Sequence, residues 1–204
     1  MKVKTAIIYY SATGTTYRLA RAVEEGAQSA GAEVRLHKAR ELAPEEAINS
    51  NPGWVAHRQE AQHVPEATTA DLEWADAIIL GTPTRFGLPT AQLKQFIDLT
   101  GGLWAQGKLV NKIASSFTSS ATLHGGQEST IIALNNTFYH WGAIIVSPAY
   151  ADPSQFQSGN PYGASFTSNN GQLKPDEIAL NAARFQGRRV VEIAAQFLAG
   201  RERA

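Results

Sequence analysis

The sequence contains no cysteine among its 204 residues, and this absence excludes several kinds of chemistry. Disulfide bonds, cysteine nucleophiles, iron–sulfur clusters and thiolate zinc sites all require cysteine. Histidine does not replace it, because His37, His57 and His63 show neither metal-ligand spacing nor a carboxylate grouping beside them. We therefore expect no metal site.

The sequence also lacks an excess of charge of either sign. Lys plus Arg and Asp plus Glu number 18 each, which gives a formal net charge of +0. Such a chain has no overall field to attract nucleic acid or an anionic membrane. No nucleic-acid partner is therefore predicted.

Long hydrophobic runs are missing as well. The apolar run that precedes Ser11 is too short for a signal-peptide core or a membrane span, so we expect a cytoplasmic protein without membrane insertion. Hydrophobic residues nevertheless make up 43% of the chain, enough for the core of one ordinary domain. The simpler interpretation is a single domain over residues 1–204.

Runs typical of buried strands alternate with helical periodicity along the chain. The strands are predicted at 3–10, 33–37, 77–80, 109–118 and 143–146. The helices are predicted from 16 to about 30 and at about 89–99, 127–140 and 176–199. Because parallel strands need crossover helices between them, this alternation predicts a three-layer α/β fold.

Two segments, 39–70 and 147–174, lack convincing periodicity and are interpreted as long excursions from the fold. The second is rich in Pro, Gly, Ser, Asn and Gln. A long structureless stretch inside a compact domain is usually a functional or interface loop, and Tyr162 in the second segment has either a surface position or a place in a neighbouring subunit's pocket.

Ligands of doubly wound sheets bind beyond the carboxyl ends of the strands, so the loops that follow strands are the informative ones. Residues 11–16 read Ser-Ala-Thr-Gly-Thr-Thr and contain no Lys or Arg. Hydroxyl groups and the N–H groups at a helix start suit a phosphate dianion. The missing lysine excludes a P-loop, and the missing G-x-G-x-x-G argues against a Rossmann dinucleotide-binding site. The alternative is a threonine N-cap with polar neighbours.

Two further loops favour a second and a third wall of the same pocket. Residues 81–89 read Gly-Thr-Pro-Thr-Arg-Phe-Gly-Leu-Pro, a rigid loop suited to the edge of a planar heterocycle. Residues 119–126 read Ser-Ser-Ala-Thr-Leu-His-Gly-Gly, small and polar. Taken alone, the first is equally a helix-entry turn and the second a mobile surface loop.

Together these loops resemble the flavodoxin-like family. Four strings, 81–87, 100–105 (Thr-Gly-Gly-Leu-Trp-Ala), 125–128 (Gly-Gly-Gln-Glu) and 161–164 (Pro-Tyr-Gly-Ala), are more specifically similar to the WrbA-type NAD(P)H:quinone oxidoreductases. The resemblance covers nearly the whole chain. It implies a doubly wound sandwich with a five-stranded parallel sheet in the order 2-1-3-4-5 and helices on both faces.

The resemblance also implies roles for individual residues. It assigns quinone binding to Trp104, nicotinamide-nucleotide binding to Thr13, and the single catalytic role to His140. The residues that it assigns to flavin mononucleotide (FMN) are Ser11, Ala12, Thr13, Gly14, Thr15, Thr16, Thr84, Arg85, Phe86, Ser119, Ser120, Ala121, Thr122, Leu123, His124, Gly125 and His140.

The sequence departs from the family at the two loops that matter most. Thr13 stands where many members carry a tyrosine associated with the nicotinamide nucleotide. Ala121, Leu123 and His124 interrupt a loop that is often rich in Gly and Thr and is one residue shorter. Trp104 and His140 also have simple structural explanations, as an apolar plug and as a helix-dipole partner, respectively.

The implied activity is the reduction of quinones by NADH or NADPH, by a ping-pong hydride transfer through N5 of FMN, in a homotetramer. One alternative is a flavodoxin-type electron carrier, although such carriers are usually strongly acidic and this chain is neutral. The other is a non-enzymatic FMN-binding or interaction module, because fold does not dictate activity.

Overall fold

The computed structural model describes residues 2–201, and strands and helices alternate along them. The strands are β1 (Lys4–Tyr9), β2 (Glu33–Lys38), β3 (Ala77–Pro83), β4 (Ile113–Ser120), β5 (Ile144–Ile145) and β6 (Ser165–Thr167). The helices are α1 (Thr15–Ser29), α2 (Glu45–Asn49), α3 (Pro52–Glu60), α4 (Thr69–Trp74), α5 (Ala91–Asp98), α6 (Gly101–Ala105), α7 (Gln127–Trp141), α8 (Pro153–Ser158) and α9 (Glu177–Arg201).

The strands form one parallel sheet in the order β2-β1-β3-β4-β5, which confirms the predicted fold class and strand order. A sixth strand was not predicted. β5 pairs with the start of β4 at Ile113 and Ala114, and β6 pairs with its end from Thr118 to Ser120, on the side of β4 that faces away from β3. The fifth position of the sheet is therefore shared by two short strands.

Successive side chains of β1 point to opposite faces of the sheet, and both faces are buried. Ile7 contributes to the core beneath α1 and α9, whereas Ile8 contributes to the core beneath α5 and α7. Burial on both faces is typical of a parallel sheet between two helical layers, and it explains the continuous apolar run that predicted this strand.

The two segments interpreted as long excursions contain regular structure, so that interpretation was wrong in part. The first holds α2, α3 and the start of α4, and the second holds α8 and β6. Helices of 5–9 residues are too short to show clear periodicity in the sequence. Local capping defines α3 instead, because Asn51 Oδ1 accepts hydrogen bonds from the N–H groups of Gly53 (3.0 Å) and Trp54 (3.2 Å).

This topology brings the carboxyl ends of β1, β3, β4 and β6 to one edge of the sheet, which we call the carboxyl edge. The opposite edge, where β4 and β5 begin, is called the amino edge. Between residues 2 and 201, no helix combines the length and the apolar character needed to cross a membrane.

Candidate active site at the carboxyl edge

The carboxyl edge carries a cavity of about 600 Å³, within the range of small-molecule and cofactor sites. Loops that follow β1, β3, β4 and β6 form its walls, together with the start of α3. Its lining residues are Ser11, Ala12, Thr13, Thr15, Thr16, Asn51, Trp54, Pro83, Thr84, Arg85, Phe86, Ser119, Ser120, Ala121, Thr122, Gly125, Ser168, Asn170 and Gly171.

The loop after β1 presents the start of α1 to this cavity. The N-cap of α1 is Gly14, with φ 91°, and no side chain of the described residues caps the helix. The Ser11 hydroxyl instead accepts a hydrogen bond from the Gly14 N–H group (3.1 Å). The first N–H groups of a helix have no partner within the helix, so they remain available to an anion. The threonine N-cap that the sequence left open is not observed.

Two side chains lie directly behind this loop. A Cβ atom at Gly14 would lie 2.3 Å from Nη1 of Arg18 and 3.3 Å from Nδ1 of His57. The guanidinium of Arg18 also forms an ion pair with Glu60 (3.5 Å). A cationic group therefore stands next to the loop, although the loop itself contains none and Arg18 does not line the cavity.

His57 is buried, and its ring packs against that of Tyr17 with centroids 5.2 Å apart. Burial lowers the pKa of His57 below its ordinary value, because it disfavours the charged ring, and a hydrogen bond with Glu60 (3.3 Å) only partly opposes this. The His57 ring therefore lies against the β1 loop at Gly14 as an uncharged group.

The loop after β3 forms a tight two-residue turn. The backbones of Arg85 and Leu88 exchange hydrogen bonds of 2.8 and 3.0 Å, and the central residues Phe86 and Gly87 have φ values of 54° and 77°. Positive φ at both central residues is the geometry of a type I′ turn, in which a phenylalanine is unusual. The Phe86 side chain is fully exposed at the rim of the cavity. Backbone strain and an exposed aromatic ring at one residue point to function.

Buried hydroxyl groups fix this turn to its neighbours. The Thr84 hydroxyl accepts hydrogen bonds from the Gly87 N–H group (3.1 Å) and from the Thr130 hydroxyl on α7 (2.7 Å). The Thr16 and Ser119 hydroxyls are 2.9 Å apart and join the loop after β1 to that after β4. The three loops thus form one connected polar wall.

The loop after β4 divides its residues between the cavity and the solvent. Ser119, Ser120, Ala121, Thr122 and Gly125 line the cavity. Leu123 and His124 do not line it, and both are exposed. The structure therefore does not place these two members of the implied flavin set at the cavity of this chain.

Trp104 and His140 are brought together, but away from the cavity. The indole N–H group of Trp104 donates to the backbone carbonyl of His140 (2.9 Å), and both side chains are exposed. The helix α7 begins beside the cavity at Gln127, and a rise of 1.5 Å per residue puts His140 about 20 Å further on. These residues therefore lie at the amino edge, out of reach of the cavity of their own chain.

The sequence analysis missed Asn51, Trp54, Ser168, Asn170 and Gly171 as residues of the cavity wall. All five lie in the two segments without clear periodicity, where their composition signalled only a loop. A cluster of Asn, Gly and Ser at 168–171 was the available signal, and Asn169, Asn170 and Gly171 do adopt positive φ. This loop packs on the first one, since a Cβ atom at Gly171 would lie 3.0 Å from the Thr13 hydroxyl.

The charges at the cavity favour an anionic ligand. Arg85 is the one charged residue among those that line it within residues 2–201, and no carboxylate lines it. The uncapped start of α1 adds the positive end of a helix dipole. These features fit the phosphate group of a mononucleotide at the β1 loop and a planar ring between the loops after β3 and β4.

Comparisons with known proteins identify the family. Residues 3–157 match the family model described as NADPH-dependent FMN reductase. A protein of Deinococcus radiodurans named NAD(P)H dehydrogenase (quinone) is 49% identical over 96% of this chain and 98% of its own length. A protein of the same name from Aromatoleum aromaticum is 46% identical over 98% of this chain and 99% of its own.

A solved structure agrees with these relatives. The crystal structure described as a flavodoxin, WrbA-like protein from Agrobacterium tumefaciens is 29% identical, with a TM-score of 0.69 over 96% of this chain and 99% of that one. The resemblance seen in the sequence motifs is thereby confirmed, and the chain belongs to the NADPH-dependent FMN reductase family, with a flavodoxin-like fold.

Proposed function

We propose that this protein is an FMN-dependent NAD(P)H:quinone oxidoreductase whose cofactor binds in the carboxyl-edge cavity. The relatives that share 46–49% of its residues carry the name NAD(P)H dehydrogenase (quinone). The observation that carries the proposal is the uncapped N-terminus of α1, which opens into a cavity without carboxylates. This combination suits a mononucleotide phosphate.

Each loop has a part in holding the cofactor. The N–H groups of Thr15 and Thr16, with the hydroxyl of Ser11, bind the phosphate. The turn at 84–87 and the residues from Ser119 to Gly125 enclose the ring system, with Arg85 near its electron-rich edge and Phe86 at its side. Because hydrogen bonds fix these loops to one another, the ring is held in one orientation.

When bound, FMN would supply the two-electron redox chemistry, that is, hydride transfer from NADH or NADPH to a quinone through N5 in a ping-pong order. The protein's own groups orient the two substrates over the ring in turn. Thr13, which has replaced a tyrosine, contacts the nicotinamide nucleotide at the entrance of the cavity.

Trp104 and His140 join the site from another copy of the chain. Within one chain they are too far from the cavity, so a homotetramer in which a neighbour covers each cavity brings them over the ring. There Trp104 packs on the quinone, and His140 donates a hydrogen bond to the quinone or the flavin edge as negative charge develops. Leu123 and His124 are exposed. In this arrangement we assign them a contact with the neighbouring copy.

A spectrum and a turnover assay test this function. We expect the purified protein to bind FMN stoichiometrically, and to oxidise NADH or NADPH steadily with benzoquinone and no added reductase. Comparison of the two nucleotides then gives the donor preference. Protein that binds FMN but oxidises neither nucleotide would instead be an electron carrier, and protein that stays colourless after addition of FMN would be a non-enzymatic module.

A further inference from the structure

A single carboxylate behind the cavity wall gathers an unusual number of hydrogen bonds. Glu41, in the segment after β2, is partly buried. Its donors are Leu42 N (2.9 Å), Ala43 N (3.0 Å) and Gln92 Nε2 (2.9 Å) at Oε1, Trp54 Nε1 (3.2 Å) at Oε2, and the Tyr10 hydroxyl at Oε2 (3.0 Å) and Oε1 (3.2 Å).

The side-chain donors all belong to elements that build the candidate site. Tyr10 immediately precedes Ser11 of the phosphate loop, and Trp54 of α3 lines the cavity. Gln92 lies in the first turn of α5, a few residues beyond the Phe86 turn. Glu41 therefore joins three parts of the wall although it does not itself line the cavity.

The Trp54 indole lies where two cavities adjoin. A second cavity of about 170 Å³ adjoins the first, and Ser11 and Trp54 line both. Glu41 lines only the second cavity. Trp54 packs against the apolar core but is only partly buried, so the directional hydrogen bond to Glu41 helps to fix the position of its indole.

The hydrogen bonds also keep Glu41 charged. Its burial acts to raise its pKa, but the N–H group of Ala43 and the donors Gln92 and Tyr10 outweigh this, so the pKa lies below its ordinary value. A carboxylate with several donors forms stronger hydrogen bonds than a neutral acceptor does.

We propose that Glu41 is a positioning residue that acts through Trp54, by holding the indole as the wall against which FMN binds. This proposal rests on the proposed function, because it takes FMN as the occupant of the cavity. It gives the segment after β2, which carries none of the residues assigned by the family resemblance, a defined part in cofactor affinity.

The substitution Glu41→Gln tests the proposal selectively. The amide oxygen is expected to stay at the position that accepts from Leu42, Ala43 and Gln92, which leaves the NH₂ group facing the N–H donor of Trp54. The Trp54→Phe variant removes the indole donor of the same pair, together with part of the ring surface that lines the cavity. We expect each variant to bind FMN about tenfold more weakly, measured by quenching of flavin fluorescence.

The double variant gives the decisive measurement. If Glu41 acts through Trp54, Glu41→Gln combined with Trp54→Phe binds FMN no more weakly than the weaker single variant. With FMN in excess, Glu41→Gln should keep the wild-type kcat for quinone, because the loss lies in cofactor affinity. The control Glu45→Gln, whose exposed carboxylate pairs with Arg58, should bind FMN like the wild type.

Two results would overturn the proposal: FMN affinities of the single variants within twofold of the wild type, or losses that multiply in the double variant. If Glu41→Gln does not fold, as judged by circular dichroism, unchanged FMN affinity in Trp54→Phe is still sufficient to reject it. Failure of the wild-type protein to bind FMN would reject the proposed function instead, so the two failures are distinguishable.

Discussion

The two edges of the sheet differ in how completely a single chain builds them. At the carboxyl edge, loops that follow four strands surround one cavity, and buried hydroxyl pairs join two of them to each other (Thr16–Ser119) and a third to α7 (Thr84–Thr130). At the amino edge, the exposed side chain of Trp104 is held to the backbone of His140 by one hydrogen bond. One chain alone therefore walls the cavity at the first edge, whereas Trp104 at the second edge lies on the surface of the chain.

This difference separates binding of the cofactor from completion of the site. The groups that suit phosphate and ring belong to one chain, and the two groups assigned to the substrate side lie about 20 Å away in that same chain. Under the proposed function, a complete quinone site therefore requires a second copy. Substitutions at the carboxyl edge should consequently weaken FMN binding, whereas those at the amino edge should lower quinone turnover.

The largest effect is expected at Gly14. A valine at its φ of 91° would be strained, and it would displace the Arg18 guanidinium and crowd His57, so Gly14→Val should distort the phosphate loop. We expect the affinity for FMN to fall by roughly two orders of magnitude, as several charge-assisted hydrogen bonds to the phosphate are lost. Titration of the apoprotein with FMN measures the change.

Gly31 provides a matched control for that substitution. It has a similar φ of 84°, but a Cβ atom there would meet nothing within 4 Å. Gly31→Val should therefore lower the free energy of unfolding by about 1–2 kcal/mol through the same backbone strain, and leave FMN affinity unchanged. Equal losses of FMN affinity in the two variants would show that strain alone, and not the phosphate loop, determines binding.

The second prediction concerns the amino edge. A variant with both Trp104→Ala and His140→Ala should bind FMN but lose quinone turnover, whereas Gly14→Val loses FMN. When the two proteins are mixed and their subunits exchanged, an intact cavity of the first meets an intact Trp104 and His140 of the second. We expect turnover to rise roughly tenfold above that of either variant alone.

Absence of recovery in that mixture, with subunit exchange verified by mass spectrometry, would contradict a site shared between copies. A control mixture of Gly14→Val with wild type, at the same ratios, corrects for simple dilution. The single variant His140→Ala refines the result, since unaltered quinone turnover would remove His140 from the catalytic role.

The sheet and the loops at its carboxyl edge were predictable from the sequence because their signals are local. The apolar run of β1 reflects burial on both faces, and the order of strands follows once they are parallel and the family motifs are in place. The loops after β1 and β3 carry composition that is itself shaped by function, such as the Gly and hydroxyl content of residues 11–16.

The remaining walls of the cavity were not predictable because their positions depend on tertiary contacts. Trp54 reaches the cavity only because α3 folds over the end of β1 and Glu41 accepts its N–H group. β6 is three residues long, and its pairing with β4 depends on the adjoining segments of the same chain rather than on its own sequence. Likewise, the distance of His140 from the cavity depends on the direction and the length of α7, which leads away from the cavity.

The third prediction uses the strained turn at the rim. Asparagine tolerates positive φ, and Asn-Gly is the preferred pair in a type I′ turn, so Phe86→Asn should raise the free energy of unfolding by about 1 kcal/mol. It also removes the exposed ring, which should weaken FMN binding severalfold. Phe86→Ala is the comparison: it loses the ring but keeps the strain. Equal stability of these two variants in chemical denaturation would show that the turn stores no strain.

The smallest effect concerns His57, behind the phosphate loop. Its pKa in the folded protein lies below the ordinary value of 6.5, chiefly because burial disfavours the charged ring. The unfolded chain therefore binds the proton more readily, so the stability that the neutral ring allows is present above pH 6.5 and is lost as the pH falls from there towards the folded-state pKa. The slope attributable to this one group is at most about 1.4 kcal/mol per pH unit.

Denaturant unfolding at pH 7.5, 6.5 and 5.5 measures this slope. In His57→Gln, which cannot take up a proton, the decline should be shallower than in the wild type. If His57→Gln lost stability as steeply as the wild type on acidification, protonation of His57 would not be the cause of the decline.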